Sequence, residues 1–395
     1  MAKVLGIIAE YDPFHLGHEY HLRQAREMTG ADLCVAVISG HFTQRGEPAL
    51  TDKWSRAEMA VSSGVDLVLE MPFAFACNNA GYFAEGGVRI LEALGVDYIA
   101  FGSETADTSR LVEAAKMRSS MTEEDHAKIR ELVKDGLSFP RARSLVLCEK
   151  DGFGPNDSLA IEYIMRMEKA EPIAVKREGT GHDEEVVCGS FASASYIRRK
   201  LLQRASFDEI SHIVPNTTLN ILKREYEASG FASNSMLFDL LLGKALSAPA
   251  EELNKVFGAE EGLGSKLKDG FRYASDYEGL IDLLKSKRYT RTRIQRVLVH
   301  FLSGLTREKM KTMKPYIRVL AFNEKGARHL KELKKSGDMK LPVVENIKSE
   351  MRFFADLRDT LELDIMAADI YNTALKRDLY LNSEFVKKPL KLQAD

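Results

Sequence analysis

The most constraining feature of the chain is an apolar run that leads directly into a polar turn containing two histidines. The run Val4–Ala9 predicts a strand, and the following residues Tyr11–His18 (Tyr-Asp-Pro-Phe-His-Leu-Gly-His) predict a tight turn and the start of a helix. Free N–H groups and the helix macrodipole make such a helix start favourable for phosphate oxygens. His15 and His18 add imidazole donors, and Gly17 lets the backbone approach a ligand closely. The junction therefore indicates chemistry at a phosphate.

The first half of the chain alternates short apolar segments with longer stretches of helical periodicity. We predict helices that begin near His18, Asp52 and Asn78, and a short helix within 156–167. The predicted strands are Val4–Ala9, Leu33–Ser39, Leu67–Glu70, Tyr98–Phe101 and Pro172–Lys176. This alternation predicts an α/β fold with a doubly wound parallel sheet and right-handed crossovers. Ligands bind such sheets outside the carboxyl ends of the strands, so the loops that follow the strands are the places to search.

The sequence changes character near residue 205. Beyond it the strand pattern fades, and charged amphipathic helical stretches dominate. We therefore predict two domains, an α/β domain over residues 1–205 and a mainly α-helical domain over residues 206–395. The tail over residues 387–391 is rich in lysine, and we expect it to be mobile.

The composition is that of an ordinary globular protein, with 45% hydrophobic and 29% charged residues. No apolar run approaches the roughly 20 residues that cross a bilayer, so no membrane association is expected. The start Met-Ala-Lys leads into a strand without a secretory signal, which favours a cytoplasmic location. Cys34, Cys77, Cys148 and Cys188 are scattered without a C-x-x-C pair. We expect reduced core thiols rather than disulfide bridges or zinc ligands.

A net charge near zero conceals a strongly basic block. The chain carries a formal charge of −2, yet residues 281–340 contain 17 Lys and Arg against 5 Asp and Glu. Such a block favours a polyanionic partner, with nucleic acid the first candidate, and a solvated helical face is the alternative. Within it, helical spacing over residues 293–305 places Arg293, Arg296 and His300 off the apolar stripe, toward solvent or a partner.

A second cluster of phosphate-binding side chains lies at residues 192–198 (Ala-Ser-Ala-Ser-Tyr-Ile-Arg). Attack at the α-phosphorus of a nucleoside triphosphate releases pyrophosphate and develops charge on phosphate oxygens, and preorganised donors stabilise that charge. The Arg198 guanidinium can bind phosphate through two hydrogen bonds and does not lose its charge. We predict that Ser193, Ser195 and Arg198 hold the β- and γ-phosphates. The alternative is an ordinary helix start with a serine cap.

These two motifs together resemble the signatures of nucleotidyltransferases and class I aminoacyl-tRNA synthetases. Residues 12–18 match the H-x-G-H signature, and residues 192–198 resemble the pattern I-S-S-T-x-I-R. Ala192, Ala194 and Ser195 depart from that second pattern, but two hydroxyls and the arginine are retained. The alternative for the two histidines is that they only cap a helix and form local hydrogen bonds.

Three further segments resemble the bacterial tRNA(Met) cytidine acetate ligase family, and the resemblance extends over nearly the whole chain. They are residues 40–49, 154–159 and 287–294. The family joins acetate to ATP, forming acetyl-adenylate and pyrophosphate, and then acetylates the wobble cytidine of elongator tRNA(Met) to give 4-acetylcytidine. The resemblance implies ATP as a substrate, with Mg²⁺ expected and no tightly bound cofactor. It implies no metal site in the protein and no obligatory protein partner.

The resemblance also implies roles for individual residues. The implied catalytic residues are His15, His18, Ser193, Ser195 and Arg198. The implied ATP-binding residues are Ile7, Ile8, Ala9, Glu10, Tyr11, Asp12, Pro13, Phe14, His15, Leu16, Gly17, His18, Glu19, Tyr20, Gly102, Asn156, Arg177 and Glu178. Gln44 and Arg45 are candidates for the acetate pocket, because their loop follows a strand. The candidate tRNA-binding residues are Lys287, Arg288, Arg291, Arg293 and Arg296, with Tyr289 and Tyr316 for stacking on bases or for half-buried packing.

Three other functions remain open at this point. A small-molecule nucleotidyltransferase that releases pyrophosphate from ATP would share the H-x-G-H chemistry but would not require a basic helical half. A ligase that acetylates a thiol on citrate lyase would share acetate activation with a protein acceptor. A non-catalytic RNA-binding protein is a third possibility, and the intact His15, His18 and Arg198 argue against it.

Overall fold

The fold is built around a mixed sheet that has seven strands in the described part of the chain. The computed structural model describes residues 2–137, 139–147, 153–178, 191–377, 381 and 383–393. The strands are β1 (Val4–Ala9), β2 (Leu33–Ser39), β3 (Leu67–Met71), β4 (Tyr98–Ser103), β5 (Glu171–Lys176), β6 (Val319–Phe322) and β7 (Leu390–Lys391). Their order across the sheet is β5-β4-β1-β2-β3-β6-β7. The first five strands pair in parallel, β6 is antiparallel to β3, and β7 is parallel to β6.

Helices cover both faces of the sheet and continue into the second half of the chain. The helices of the first half are α1 (Leu16–Thr29), α2 (Lys53–Ser62), α3 (Phe73–Ala76), α4 (Ala80–Ala93), α5 (Thr108–Ser119), α6 (Glu123–Lys134), α7 (Phe139–Val146), α8 (Pro155–Ile164) and α9 (Ala194–Leu202). Those that follow are α10 (Asn216–Ser229), α11 (Phe238–Ser247), α12 (Ala250–Lys255), α13 (Leu263–Tyr273), α14 (Tyr277–Leu284), α15 (Arg291–Ser303), α16 (Arg307–Thr312), α17 (Glu324–Ser336), α18 (Ile347–Phe353) and α19 (Arg358–Ala374). The predicted α/β class with a mainly helical second half is confirmed.

Alternate residues of each central strand enter opposite cores, as a sheet covered on both faces requires. In β2, Val35 and Val37 belong to the core shared with α4, while Cys34, Ala36 and Ile38 belong to the core shared with α1 and α2. Every residue of β2 is buried, which explains why its sequence is a continuous apolar run.

The strand pattern fades in the sequence after residue 205, but the structure has two short strands beyond that point. β6 and β7 lie beyond residue 206 and extend the same sheet, so the sheet spans the predicted boundary. The expectation of a mobile tail over 387–391 is wrong at its last two residues, which pair with Ala321 and Phe322. These strands have four and two residues, which is too short for alternation to be visible in the sequence.

Two of the four cysteines are free thiols in the core, as predicted. Burial raises the pKa of Cys34 and of Cys77 to about 12, so both remain protonated. Cys148 and Cys188 lie outside the described residues. Among the residues that the structure describes, no helix has the length and apolar character needed to cross a membrane.

Candidate active site

A cavity of about 250 Å³, lined by both polar and apolar groups, lies at the carboxyl ends of β1, β4 and β5. Its lining contains all five predicted catalytic residues and the predicted ATP-binding residues, except Pro13, Phe14, Leu16 and Glu19. Phe14 is fully buried in the core beneath the turn, where it supports the turn instead of contacting a ligand. The two motifs, far apart in the sequence, thus meet in one cavity.

Both histidines of the first motif cap the helix that follows them. His15 Nδ1 accepts a hydrogen bond from the Gly17 N–H at 3.0 Å, and His18 Nδ1 accepts one from the His15 N–H at 3.3 Å. Their rings stack with centroids 3.8 Å apart. A Cβ atom at position 17 would lie 2.8 Å from His15 Cε1, so this close approach requires glycine. The alternative that the two histidines cap the helix is therefore correct for their Nδ1 atoms. Their Nε2 atoms are not used in this capping and can bind a ligand.

The two imidazoles are neutral at pH 7. Burial lowers the pKa of His15 to about 3, and the Arg177 and Arg198 cations contribute in the same direction. Burial, followed by the neighbouring His15, holds the pKa of His18 well below its usual value. A neutral imidazole carries one proton, and because each Nδ1 accepts a hydrogen bond, that proton lies on Nε2. The pair can thus donate two hydrogen bonds to phosphate oxygens.

Arg198 connects the second motif to the first. Its guanidinium donates to the Asp12 carbonyl oxygen at 2.8 Å and to Ser195 Oγ at 3.3 Å. The carboxylates of Asp12 and Glu47 lie 3.6 and 3.8 Å from the guanidinium. Ser193 Oγ accepts a backbone N–H in the first turn of α9 at 3.1 Å, so this hydroxyl serves as the helix cap. The Arg198 side chain lines the cavity and is 17% exposed.

The predicted contacts from other strand ends are held by a network around Glu104. Arg177 donates to Asn156 Oδ1 at 3.3 Å, and Asn156 Nδ2 donates to Glu104 Oε1 at 2.6 Å. The Glu104 carboxylate also accepts the N–H groups of Asn156 and Asp157 at 3.1 and 2.8 Å, which caps α8 from outside the helix. The sequence places Glu104 in the loop after β4 but does not reveal this role, because its partners are more than 50 residues away in the chain.

Tyr20 and Glu178 meet at an exposed position of the lining. The Tyr20 hydroxyl donates to Glu178 Oε1 at 3.0 Å, which links α1 to the end of β5. The residues that follow, 179–190, lie outside the described part of the chain. Both predicted nucleotide contacts are thus placed at the cavity, on the side where the chain leaves β5.

Sequence reasoning missed Arg56, a fully buried arginine of α2. Its guanidinium donates to the carbonyl oxygens of Glu10 at 2.7 Å and Ser39 at 3.0 Å, and also to that of Gly40. Its Nε donates to the Thr51 carbonyl oxygen at 3.2 Å. Carbonyl groups at the ends of two parallel strands would otherwise be buried without donors. Arg56 therefore supports the cavity from below, and nothing in its local sequence indicates that role.

A third imidazole, that of His21, was also missed. It lies one helical turn after His18 and lines the cavity. Burial lowers the pKa of His21 to about 4, against the effect of a hydrogen bond with the backbone of Phe101. Its Nε2 atom is buried and has no partner among the described residues. The i, i+3 spacing from His18 was the signal that could have identified it.

The loop after β2, residues 41–49, forms one wall of the cavity and is called here the 41–49 loop. Of the two predicted acetate contacts, the structure brings only Arg45 into the lining. The Gln44 N–H donates to Glu10 Oε1 at 2.6 Å, and the Gln44 carbonyl oxygen accepts from Arg296 Nη1 at 3.3 Å. Backbone groups of Gln44, and not its side chain, therefore act at this wall.

Three of the predicted tRNA-binding arginines lie on α15, which packs beside this loop. Arg291 is paired with Glu278 at 2.6 Å, and Arg293 with Glu261 at 2.8 Å. Arg296 donates to the loop itself. Their charges are thus already engaged by the protein, which the sequence did not predict, because Glu278 and Glu261 belong to preceding segments.

The basic block over 281–340 is divided between the two edges of the sheet. Lys287 and Arg288, in the turn before α15, are exposed, and neither forms an ion pair with another described residue. Much of the remaining positive charge lies on α17, whose Gly326 packs against Asp66 and whose His329 Nε2 lies 3.0 Å from the Leu94 carbonyl oxygen. Asp66 and Leu94 lie just before β3 and β4, so α17 lies near the amino ends of these strands. The cavity lies at the carboxyl ends, on the opposite side of the sheet. The separation is about 20 Å, the length of a six-residue strand.

His300, which was predicted to face solvent or a partner, is buried, and so are Tyr289 and Tyr316, for which base stacking and packing were both open. His300 is 2% exposed, and its ring nitrogens lie 3.0 and 2.7 Å from two backbone carbonyl oxygens. The Tyr289 hydroxyl donates to a backbone carbonyl oxygen, and the Tyr316 hydroxyl donates to Asp364 Oδ2 at 2.6 Å. Of the two alternatives for Tyr289 and Tyr316, packing is therefore the one that the structure supports, and base stacking is not. These segments are covered by other elements on more than one side, which a single apolar stripe does not reveal.

The described residues contain no group of three or more His, Cys, Asp or Glu side chains arranged to hold a metal ion. The two carboxylates nearest the first motif are already used: Glu10 accepts the Gln44 N–H, and Asp12 Oδ1 accepts the Leu50 N–H at 2.7 Å. Burial raises the pKa of both carboxyl groups. Glu10 and Asp12 therefore hold backbone N–H groups of residues 44 and 50 and are not arranged to bind a cation.

Comparison with known proteins agrees with this geometry. The model of a family described as HIGH Nucleotidyl Transferase matches residues 2–384. A tRNA(Met) cytidine acetate ligase of Caldicellulosiruptor saccharolyticus is 39% identical over 402 residues, covering 98% of each chain. A protein of the same name from Thermoanaerobacter sp. is 36% identical and covers 98% of this chain and 100% of its own.

Solved structures resemble the whole fold. The apo crystal structure of Thermotoga maritima TmcAL superposes with a TM-score of 0.92 at 32% identity, covering 99% of this chain and all of that one. A second crystal structure of the same protein, bound with alpha-thio ATP, has a TM-score of 0.88 at the same identity and coverage. The similarity therefore includes both the sheet and the helical half.

Proposed function

Since the chain belongs to the tRNA(Met) cytidine acetate ligase family, we propose that it is an ATP-dependent ligase that acetylates the wobble cytidine of elongator tRNA(Met). Acetate first attacks the α-phosphorus of ATP, which forms acetyl-adenylate and releases pyrophosphate. The exocyclic amine of the cytidine then attacks the acetyl carbonyl, giving 4-acetylcytidine, AMP and a proton. The resemblance indicated by residues 12–18 and 192–198 is confirmed at the level of the family.

The observation that carries the proposal is the joint placement of His15, His18 and Arg198 around one cavity at the start of α1. Negative charge develops on the phosphate oxygens as pyrophosphate leaves, and fixed donors stabilise it without reorganising. Two Nε2–H groups and a guanidinium are donors of that kind. Arg177, at the end of β5, adds a second cation to the same cavity.

Chemical activation accounts for the second step. The exocyclic amine of cytidine is a weak nucleophile, but a mixed anhydride of acetate and AMP has a good leaving group. The protein then has to orient the amine and limit access of water, which raises the effective concentration of the nucleophile. No covalent acyl carrier is required. A wobble base is presented in a single-stranded loop, where cations hold the backbone while the base enters a pocket.

Lys287 and Arg288 are the candidate backbone contacts for this RNA, since their charges are not paired within the described residues. Arg45 is the candidate contact for the acetate carboxylate, since it reaches the cavity from the 41–49 loop. We propose that Mg²⁺ enters with the triphosphate, because the described carboxylates provide no site for it. We propose a cytoplasmic location, because tRNA and ATP are both available there.

The test is to incubate the purified protein with labelled acetate, ATP and an elongator tRNA(Met) transcript. Label is expected in the RNA only when ATP is present, and nuclease digestion is expected to release it as 4-acetylcytidine. A transcript with uridine at the wobble position is the matched control. Uridine has a carbonyl oxygen in place of the exocyclic amine and carries a proton on N3, and otherwise has the same base. Acetylation of that control, or nucleotidyl transfer to a small metabolite without RNA labelling, would contradict the proposal.

A further inference from the structure

The 41–49 loop is a hairpin closed by hydrogen bonds between its own backbone groups. Within it, the Thr43 N–H donates to the Glu47 carbonyl oxygen at 2.9 Å, and the Ala49 N–H donates to the His41 carbonyl oxygen at 2.9 Å. Gly46 at the tip has φ of +80°, a conformation that suits glycine. Backbone hydrogen bonds within the loop thus close the hairpin, while the N–H and carbonyl groups of Gln44 bond to residues outside it.

Helix α15 packs directly against this tip. A Cβ atom at Gly46 would lie 2.4 Å from the Arg296 backbone nitrogen, so the loop touches the helix backbone. Gln295, which is 1% exposed, donates from Nε2 to Glu47 Oε1 at 3.1 Å. Its neighbour Arg296 donates from Nη1 to the Gln44 carbonyl oxygen at 3.3 Å. Two consecutive residues of α15 therefore hold two points of the loop.

Each of these points leads to a different wall of the cavity. Glu47 Oε2 lies 3.8 Å from Arg198 Nη2, which is close enough for attraction but too far for a direct hydrogen bond. The Gln44 N–H donates to Glu10 Oε1 at 2.6 Å. One connection therefore runs from Gln295 through Glu47 to Arg198, and the other from Arg296 through Gln44 to Glu10.

We propose that Gln295 and Arg296 are positioning residues through which α15 sets the geometry of the ATP cavity by way of the 41–49 loop. Gln295 restrains the Glu47 carboxylate and so prevents it from closing on Arg198. The guanidinium then remains available to the phosphates of ATP. This inference rests on the proposed function for its kinetic test, but its binding test does not depend on the reaction.

The decisive variant is Gln295→Met, which keeps nearly the same side-chain volume and removes the hydrogen-bond donor. In acetate-dependent exchange of pyrophosphate into ATP, we expect KM for ATP to rise roughly twofold to tenfold, the factor that one hydrogen bond supplies. The kcat at saturating ATP is expected to change less. Thr292→Ala, a change at a half-buried position of the same helix whose hydroxyl lies 3.4 Å from that of Thr290, is the matched control and is expected to leave KM unchanged.

A double-mutant cycle with Glu47→Gln separates positioning from general damage. The glutamine no longer competes for Arg198, so Glu47→Gln alone is expected to lower KM for ATP, and Gln295→Met is expected to add little in that background. The Glu47→Gln measurement alone leaves the buried residue Gln295 unchanged, so it does not depend on a substitution in the core. Equal effects of Gln295→Met with and without Glu47→Gln would overturn the proposal, as would a higher KM in Glu47→Gln alone.

Calorimetric binding of a non-hydrolysable ATP analogue gives the same comparison without turnover. Gln295→Met is expected to raise its Kd by a similar factor, and unchanged Kd and KM in this variant would overturn the inference. If the unaltered protein binds the analogue but shows no acetate-dependent exchange, the proposed function fails. The binding comparison then still decides whether Gln295 positions the cavity.

Discussion

At the scale of single residues, the two histidines of the first turn divide their nitrogen atoms between two tasks. The Nδ1 atoms of His15 and His18 accept backbone N–H groups and so determine where the ring protons lie. Because burial keeps both rings neutral, each Nε2 carries its proton throughout the neutral pH range. Capping and ligand binding are therefore compatible functions of the same side chains, and the local hydrogen bonds orient the donors.

A pair of substitutions at His18 separates the two tasks. His18→Asn retains an acceptor near the Nδ1 position and removes the Nε2 donor, while His18→Ala removes both. Both variants are expected to lose about 100-fold to 1,000-fold in acetyl-adenylate formation, the usual effect of losing one transition-state donor. Only His18→Ala is expected to lose about 1 kcal/mol of stability as well. Pyrophosphate exchange and urea unfolding measure the two effects.

The tRNA affinity of both variants is expected to equal that of the unaltered protein, because the change concerns phosphate contacts of ATP. The exposed His126 on α6 provides a control, and His126→Ala is expected to change none of these quantities. Loss of tRNA binding together with activity in His18→Asn would show that the residue supports the fold rather than the reaction.

At the scale of elements, the position of a helix relative to the sheet decides what its charges can reach. α15 lies beside the 41–49 loop at the cavity edge, and α17 lies at the opposite edge. Both belong to the same basic block of sequence. Since screening limits charge interactions to about 10 Å at 0.1 M salt, the cations at this side of the sheet, Lys287 and Arg288 in the turn before α15, are the ones we expect to act on RNA that enters the cavity.

Two double substitutions of equal charge test this division. Lys287→Ala with Arg288→Ala is expected to weaken tRNA(Met) binding and to reduce the slope of log K against log salt by about 1 to 2, since each cation releases about one counterion. Lys331→Ala with Lys335→Ala on α17 is expected to leave both quantities unchanged. Filter binding at roughly 50 to 200 mM salt measures both the affinity and its salt dependence. An equal loss in the α17 variant would place the RNA surface across both edges.

At the scale of the whole molecule, the C-terminal segment packs back against the sheet and the α2 helix through a buried cluster of charges. Buried Lys53 on α2 donates to Glu70 at 2.6 Å and to Glu384 at 2.7 Å, and Arg318 pairs with Glu384 at 2.5 Å. Against the effect of burial, Arg318 and Lys53 lower the pKa of Glu384 to about 2. A carboxylate with a lowered pKa stabilises the fold above its unfolded value near 4.3, and this contribution disappears as the pH falls toward 2.

Removing the Glu384 carboxylate is expected to destabilise the packing of the C-terminal segment against the sheet. Glu384→Ala leaves two buried cations with one fewer partner and is expected to cost about 3 to 5 kcal/mol in the free energy of unfolding. The control is Glu308→Ala, which breaks an exposed pair with Lys311 and is expected to cost at most about 0.5 kcal/mol. Urea unfolding at pH 7 measures both. A cost below about 1 kcal/mol for Glu384→Ala would contradict a structural role for the cluster.

Much of the first half of the fold could be predicted from the sequence, because its signals are local. The bounds of β1 and β2 match the predicted strands, and the H-x-G-H turn lies between a strand and a helix as expected. Apolar periodicity, turn residues and a short motif each depend on neighbours along the chain. They identify elements and the residue types at their ends, and these were sufficient to place His15, His18 and Arg198 at one candidate site.

Other features were decided only by tertiary structure. The contact of Gln295 with Glu47, the buried guanidinium of Arg56 and the return of Glu384 to Lys53 join residues separated by up to several hundred positions. No local period encodes such pairings, because they depend on how the packed elements bring distant strands and helices together. Sequence alone thus determined which groups this protein has for binding a phosphate. The packing of the second half against the sheet determined which of them are held, and by what.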